Sequence, residues 1–319
     1  MCAVTLTRRQ VLLGTAATVL LQSDEARASQ PAFDVPAGAC DCHTHVFGDP
    51  ARFPFWSERT YTPPPASAAD WEAVHRTLGI DRGVVVQPSV YGTDNRCMLD
   101  AITRLGNRAR GVAVVADSTP AAELDRLHRS GVRGIRLNLE TFGIADPGAA
   151  SDRLRRALGQ LAHRPWLIQL FVRSSIVPTI ESTVLESSLP IVFDHFGGAR
   201  AEAGLNDAGF QALVRLVRAG KAYVKVSGAY RASSSGPPDY ADVRPFARAL
   251  IEANPRRVLW GSDWPHPDSR RREGPDVFRI SPDLQIDDVA VLTQLAVWAP
   301  DASRRRAILV ENPARLYGF

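Results

Sequence analysis

A chain of 319 residues with 45% hydrophobic and 23% charged side chains has ample material for a large folded core. Its 38 Lys and Arg against 34 Asp and Glu leave a net charge of +4 with no dense basic tract, which speaks against a nucleic-acid partner. Four cysteines without a CxxC pair do not make a disulfide scaffold.

The first element reads as an export signal. Arg8-Arg9 open a basic segment, an apolar run follows from Val11 to Leu21, and Ala26-Arg27-Ala28 offers a small-x-small cleavage site. Thr7-Arg8-Arg9-Gln10-Val11-Leu12 resembles a twin-arginine signal. Residues 1–28 are therefore expected to be removed, leaving residues 29–319 as one periplasmic or otherwise exported domain. The apolar run is shorter than the roughly 20 residues of a membrane-spanning helix, so no stable membrane insertion is expected after cleavage.

Short apolar strands then alternate with helical stretches, the pattern of a mostly parallel sheet. Strands are predicted at Ala39–His45, Gly83–Gln87, Val112–Ala116, Gly134–Leu137, Trp166–Phe171, Ile191–Asp194, Ala222–Val226 and Val258–Gly261. Helices are predicted at Ala69–Leu78, Arg96–Leu105, Ala121–Arg129, Asp152–Leu161, Ile176–Glu186, Phe210–Arg218, Val243–Ala253 and Ser303–Leu309. Residues 46–65, rich in Pro and aromatic side chains, read as an ordered excursion over the mouth. Cys40, Cys42 and Cys97 are expected to be buried small apolar residues. The fold class is α/β, and this strand number closes a (β/α)₈ TIM barrel. A doubly wound open sheet is the alternative, but no GxGxxG follows the first strand.

In such a barrel the C-terminal ends of the strands surround the active site. Reading them in order collects Asp41, His43 and His45, then Gln87 and Ser89, then Arg136 and Asn138. The later strands add Gln169 and Phe171, Asp194 and His195, Ser227 with Tyr230 and Arg231, and finally Asp263 and His266. Strand alternation places His43 and His45 on one face, where they converge on a substrate oxygen or a metal, or else pack as two satisfied histidines. Asp263 can serve as a general base toward water or cap the following turn. Arg136, on an otherwise apolar strand, needs an anion, either a substrate carboxylate or an internal Asp or Glu. Arg231 reaches over the mouth or is a solvated loop residue.

Ala39-Cys40-Asp41-Cys42-His43-Thr44-His45, Gly134-Ile135-Arg136-Leu137-Asn138, Asp194-His195-Phe196-Gly197, Gly261-Ser262-Asp263-Trp264-Pro265-His266 and Glu311-Asn312-Pro313-Ala314-Arg315-Leu316-Tyr317 carry a family resemblance. Together they resemble the 2-pyrone-4,6-dicarboxylate lactonase group of the amidohydrolase superfamily. The resemblance implies an amidohydrolase-type barrel that hydrolyses a lactone, with Asp263 activating water. It implies that His43, His45 and His195 polarise the carbonyl, while Tyr61, Ser89 or Tyr91, Arg136 and Arg231 hold the substrate. Gln87, Asn138, Gln169, His266 and Asp268 complete the substrate-facing set. Three positions depart from that group's pattern: Phe142 in place of a second basic residue, Phe171 in place of a tyrosine, and Asp268 in place of an asparagine. They lose a donor or gain a negative charge, so a sugar-acid or muconolactone-like lactone with one carboxylate or none is expected.

The resemblance implies no cofactor. If a metal is used, a single zinc held by His43, His45 and Asp263, with His195 as a further ligand, is the set the sequence offers, because strand five supplies Gln169 rather than a histidine. Two other functions compete: a metal-dependent decarboxylase of the same superfamily, and an exported barrel that binds a carboxylic acid without turning it over. Oligomeric state is not legible.

Overall fold

The computed structural model of the protein describes residues 30–319 other than Phe142, Ile144 and Ala145. The expected signal peptide and the departure at Phe142 lie outside the described residues. Eight strands follow one another around the sheet: β1 (Cys40–Thr44), β2 (Arg82–Val86), β3 (Ala109–Ala113), β4 (Val132–Asn138), β5 (Leu167–Phe171), β6 (Ile191–Phe193), β7 (Ala222–Ser227) and β8 (Val258–Gly261). Every neighbouring pair is parallel and the order is sequential.

The two edges meet where the Asp263 N–H donates to His43 O (2.9 Å) and the His45 N–H donates to Trp264 O (2.8 Å). Glycine at 261 permits this closure, because a Cβ there would lie 2.7 Å from His43 Cβ and 2.9 Å from His43 N. Asp41 stitches the same seam from outside. Its Oδ1 accepts the N–H groups of His43 and Ser262, both at 3.0 Å, and its Oδ2 lies 3.3 Å from His75 Nε2. Asp41 thus supports the seam and is not part of the site.

Helices α1 (Ala68–Leu78), α2 (Arg96–Leu105), α3 (Ala121–Arg129), α4 (Pro147–Leu161), α5 (Val177–Glu186), α6 (Ala208–Arg218), α7 (Ala229–Ala232), α8 (Arg244–Ala253), α9 (Asp288–Trp298), α10 (Ala302–Arg306) and α11 (Asn312–Tyr317) complete the chain. The α1 sequence begins with a capping box, Ser67 and Asp70 each accepting the other's backbone N–H. Two cores result. Ile135, Ile168, Leu170 and Val224 face the helices, while Cys40, Cys42, Val84, Val86, Val112, Leu167, Val192, Tyr223 and Leu259 fill the barrel with Tyr317 of α11 against them. Cys40, Cys42 and Cys97 are free and buried, as expected.

Differences from the sequence reading have local causes. β3 begins three residues before its predicted start and takes in Gly111. Gly111 is a strand residue against which α2 packs, and a Cβ there would meet Ile102 Cδ1 at 2.7 Å. α9 was not predicted. Asp288–Trp298 is apolar around much of its circumference and packs against both α1 and α8, so it lacks the polar face of a helix with one buried side. The excursion is ordered. Phe47 and Ala66 bridge at its base, the Arg272 N–H reaches Thr60 O (3.0 Å), and the Ser281 N–H reaches Thr62 O (2.7 Å). Among the described residues no helix is long and apolar enough to cross a membrane.

Candidate active site

Strict alternation from the inward-facing Cys40 and Cys42 would turn His43 outward. The β1–β2 register shifts between Asp41 and Thr44, and this irregularity brings His43 inside while Thr44 faces α1, where it accepts a hydrogen bond from Trp71 Nε1 (3.0 Å). His43 and His45 consequently stand with ring centroids 5.0 Å apart, and His195 lies 4.5 Å from His43. Asp263, His195 and His266 all adopt left-handed backbone, with φ of 69°, 47° and 63°. Strained backbone of this kind concentrates where side chains must be aimed.

Three imidazoles surround one carboxylate oxygen. Asp263 Oδ1 lies 3.7 Å from His43 Nε2, 3.7 Å from His45 Nε2 and 3.8 Å from His195 Nε2. Its other oxygen is occupied, accepting from the Tyr230 hydroxyl (2.5 Å) and from Arg231 Nε (2.7 Å). Asp263 Oδ1 and His43 Nε2 are buried and make no hydrogen bond to the described residues. His45 Nδ1 faces Val86 O at 2.8 Å, so it carries the proton and leaves Nε2 bare. His43 Nδ1 lies 3.1 Å from Asp194 Oδ1, and His195 Nδ1 pairs with Ser227 Oγ (2.9 Å). Burial pushes His45 and His195 down to about 4 and His43 well below its ordinary value, so all three are neutral at neutral pH. Burial opposes charge on Asp263, but the Arg231 guanidinium leads the groups that hold the carboxyl well below the usual range. The bare His45 Nε2 and the unbonded His43 Nε2 beside an ionised oxygen make a receptor for a water or for a cation.

Beneath this centre lies a buried charge cluster. Asp194 Oδ2 accepts from Arg136 Nε and Gln169 Nε2, both at 3.0 Å. Lys225 Nζ donates to Gln169 Oε1 (2.7 Å) and lies 3.3 Å from Asp194 Oδ1 and 3.1 Å from His43 Nδ1. Burial works against the Asp194 charge, yet Lys225, His43 and Arg136 hold its carboxyl well below the usual range. The internal anion of Arg136 is thus Asp194. Its Nη atoms make no hydrogen bond to the described residues, and its guanidinium stacks over Phe171, 5.0 Å from the ring centroid. Phe171 also meets His195 edge-on at 5.5 Å. Asn138, two residues beyond Arg136, is buried with neither side-chain atom bonded, as suits a group awaiting a ligand. Tyr61 is buried among Ser89, Arg231, Arg136 and Asp263, and burial pushes its hydroxyl up to about 12.

Four of the expected substrate-facing side chains also make contacts within the protein. Gln87 Nε2 donates to Asp94 O (2.8 Å), holding the loop after β2, while its buried Oε1 makes no hydrogen bond to the described residues. Tyr91 stacks on Phe55 (5.2 Å) and accepts the Gly48 N–H (3.1 Å), so it supports the excursion. His266 bonds Asp288 Oδ1 (3.0 Å) and packs edge-on against Tyr230. Asp268 is not a free negative charge, because Arg270 and Arg272 bind its carboxylate at 2.7 and 3.0 Å. Sequence reasoning missed Lys225. The signal was present, a lysine inside the apolar run Ala222–Val226, and the argument applied to Arg136 would have found it.

Two His/Asp groups in the described residues have metal-ligand proximity: His43, His45 and Asp263, and His43, Asp194 and His195. The orphaned His43 Nε2 and Asp263 Oδ1 belong to the first, so its donors fit a divalent ion.

Comparison with known proteins agrees with this architecture. The chain is 38% identical over 299 residues to 4-sulfomuconolactone hydrolase of Rhizobium radiobacter, covering 93% of this chain and 95% of that protein. It is 37% identical over 300 residues to 2-pyrone-4,6-dicarboxylate hydrolase of Comamonas testosteroni, covering 92% and 94%. A solved structure from Pseudomonas putida, assigned as a 2-pyrone-4,6-dicarboxylic acid hydrolase, is 32% identical with a TM-score of 0.74, covering 90% of this chain and 98% of that one. The profile of the amidohydrolase family matches residues 40–319. This chain belongs to the amidohydrolase family and is an enzyme.

Proposed function

We propose that the protein hydrolyses a lactone bearing one carboxylate, of muconolactone or sugar-acid type, outside the cytoplasm. The observation that carries this reading is Asp263 Oδ1, buried, ionised and unbonded, with three neutral imidazoles around it. A water beside Oδ1 attacks the lactone carbonyl carbon, and its proton passes to Asp263. The tetrahedral intermediate then breaks the ring C–O bond, and the proton moves on to the leaving alkoxide oxygen. Charge grows on the carbonyl oxygen, where a fixed donor such as the unspent Asn138 Nδ2 acts far more strongly than in bulk water; one such donor is typically worth about 10²–10³ in rate. The free guanidinium edges of Arg136 and Arg231 suit the carboxylate, and Asn138 suits a ring or carbonyl oxygen. With Asp268 neutralised by two arginines, one anionic substituent is accommodated without repulsion from that side.

Should a divalent cation bind, His43, His45, Asp263 and His195 would hold it, and zinc suits the donor set. It would supply Lewis-acid polarisation and a more acidic water. The convergent donors also favour a second reading, metal-dependent decarboxylation. The deciding experiment is metal analysis of the mature protein, then hydrolysis of a lactone panel with and without chelator, for wild type and Asp263→Asn. Ring opening abolished by Asp263→Asn supports the proposal. A panel left untouched, with chelator-sensitive release of CO₂ from an aromatic acid, would replace it by the second reading.

A further inference from the structure

Unless something aims it, the Asp263 carboxylate can rotate and present either oxygen. The Tyr230 hydroxyl donates to Oδ2 at 2.5 Å, beside Arg231 Nε at 2.7 Å. α7, which carries both, comes this close only because residue 228 is glycine. Its φ is +59°, and a Cβ there would lie 3.0 Å from His195 Nδ1 and 3.3 Å from Asp263 Oδ2. The Tyr230 ring is braced in turn, edge-on to His266 at 5.6 Å, while His266 Nε2 is tied to Asp288 Oδ1 at 3.0 Å. Asp263 itself is pinned by its N–H to His43 O and by the His266 N–H to its own carbonyl, both at 2.9 Å.

Arg231 and Tyr230 differ in what else they can do. Arg231 is part-exposed, also reaches Ser269 Oγ (3.1 Å), and has Nη2 to spare for a substrate anion. Tyr230 has a single polar group, and that group is spent on Oδ2. We propose that Tyr230 is the positioning residue of the reaction, locking Oδ2 so that Oδ1 alone faces the three imidazoles and the water while Arg231 turns to the substrate carboxylate. This rests on Asp263 acting as proposed above, and it assigns a function to the chain Asp288–His266–Tyr230–Asp263.

The test is Tyr230→Phe, which removes one oxygen and keeps the ring on His266. It is assayed with muconolactone as anionic probe and a neutral five-membered lactone as second probe. A charge-assisted hydrogen bond to a carboxylate predicts a fall in kcat of about ten- to a hundredfold. KM should stay within about twofold, since the variant leaves the binding groups in place. The loss should be equal for both probes, and Tyr230→Phe/Asp263→Asn should be no slower than Asp263→Asn alone. An unchanged kcat, a loss confined to KM of the anionic probe, or full additivity in the double variant would overturn the proposal. If Tyr230→Phe is unaffected while Asp263→Asn is inactive, this inference fails and the lactonase reading stands. If Asp263→Asn keeps its activity, the reading fails and takes the inference with it.

Discussion

Replacing Lys225 by methionine tests whether the buried cluster beneath the site is held by its charges. The lysine is fully buried, and methionine occupies much of its stem volume while donating nothing. Asp194 keeps Arg136, Gln169 and His43 but loses an ammonium 3.3 Å away, and Gln169 Oε1 loses its 2.7 Å donor. Breaking a buried ion pair from one side costs roughly 3–5 kcal/mol. The retained Arg136 places the expectation at the lower end, about 3 kcal/mol, or roughly 5 °C in Tm for a domain of this size. Urea melts of Lys225→Met, Asp194→Asn and the double variant would measure it, with the exposed Lys221→Met as a control that should move by less than about 0.5 kcal/mol. The cycle should return a coupling of at least about 1 kcal/mol. Stability within about 0.5 kcal/mol of wild type, or no coupling, would refute the account of Lys225 as the counter-ion of Asp194.

His45 and His195 sit near 4 in the folded protein and near 6.5 unfolded, so the unfolded chain binds more protons between those values. Stability of the chelator-treated protein should therefore be full above about pH 6.5 and fall toward pH 4, with a slope approaching roughly 2–3 kcal/mol per pH unit in urea melts. A flat profile would show that these imidazoles are not buried neutral. Gly261→Ala forces its methyl against His43, and overpacking of this kind costs about 1–3 kcal/mol. Calorimetry should show that loss, and activity should fall with it as His43 is displaced. Export is tested by fractionation: Arg8→Lys/Arg9→Lys should keep the protein in the cytoplasm, and unchanged periplasmic recovery would exclude the twin-arginine route.

Much of this molecule is written locally. Apolar runs of strand length separated by helical stretches specify the barrel, because side-chain periodicity and connection length leave few other ways to bury them. His43, His45, His195 and Asp263 are legible for the same reason: each ends a strand that must point into the mouth. The tertiary structure decided what those positions do. Only closure of β8 onto β1 brings Asp263 against the histidines, and only the β1 register shift turns His43 inward after Cys42. Gln87, Tyr91 and His266 look like ligands in a linear reading, and in the fold each also holds a neighbouring segment, through contacts that sequence order does not show. Asp268 read as an added charge until folding set two arginines on it. Lys225 and Tyr230 find their hydrogen-bond partners on other strands and loops. A charge inside a barrel takes its meaning from what the fold places within about 3 Å of it, and sequence order does not encode that distance.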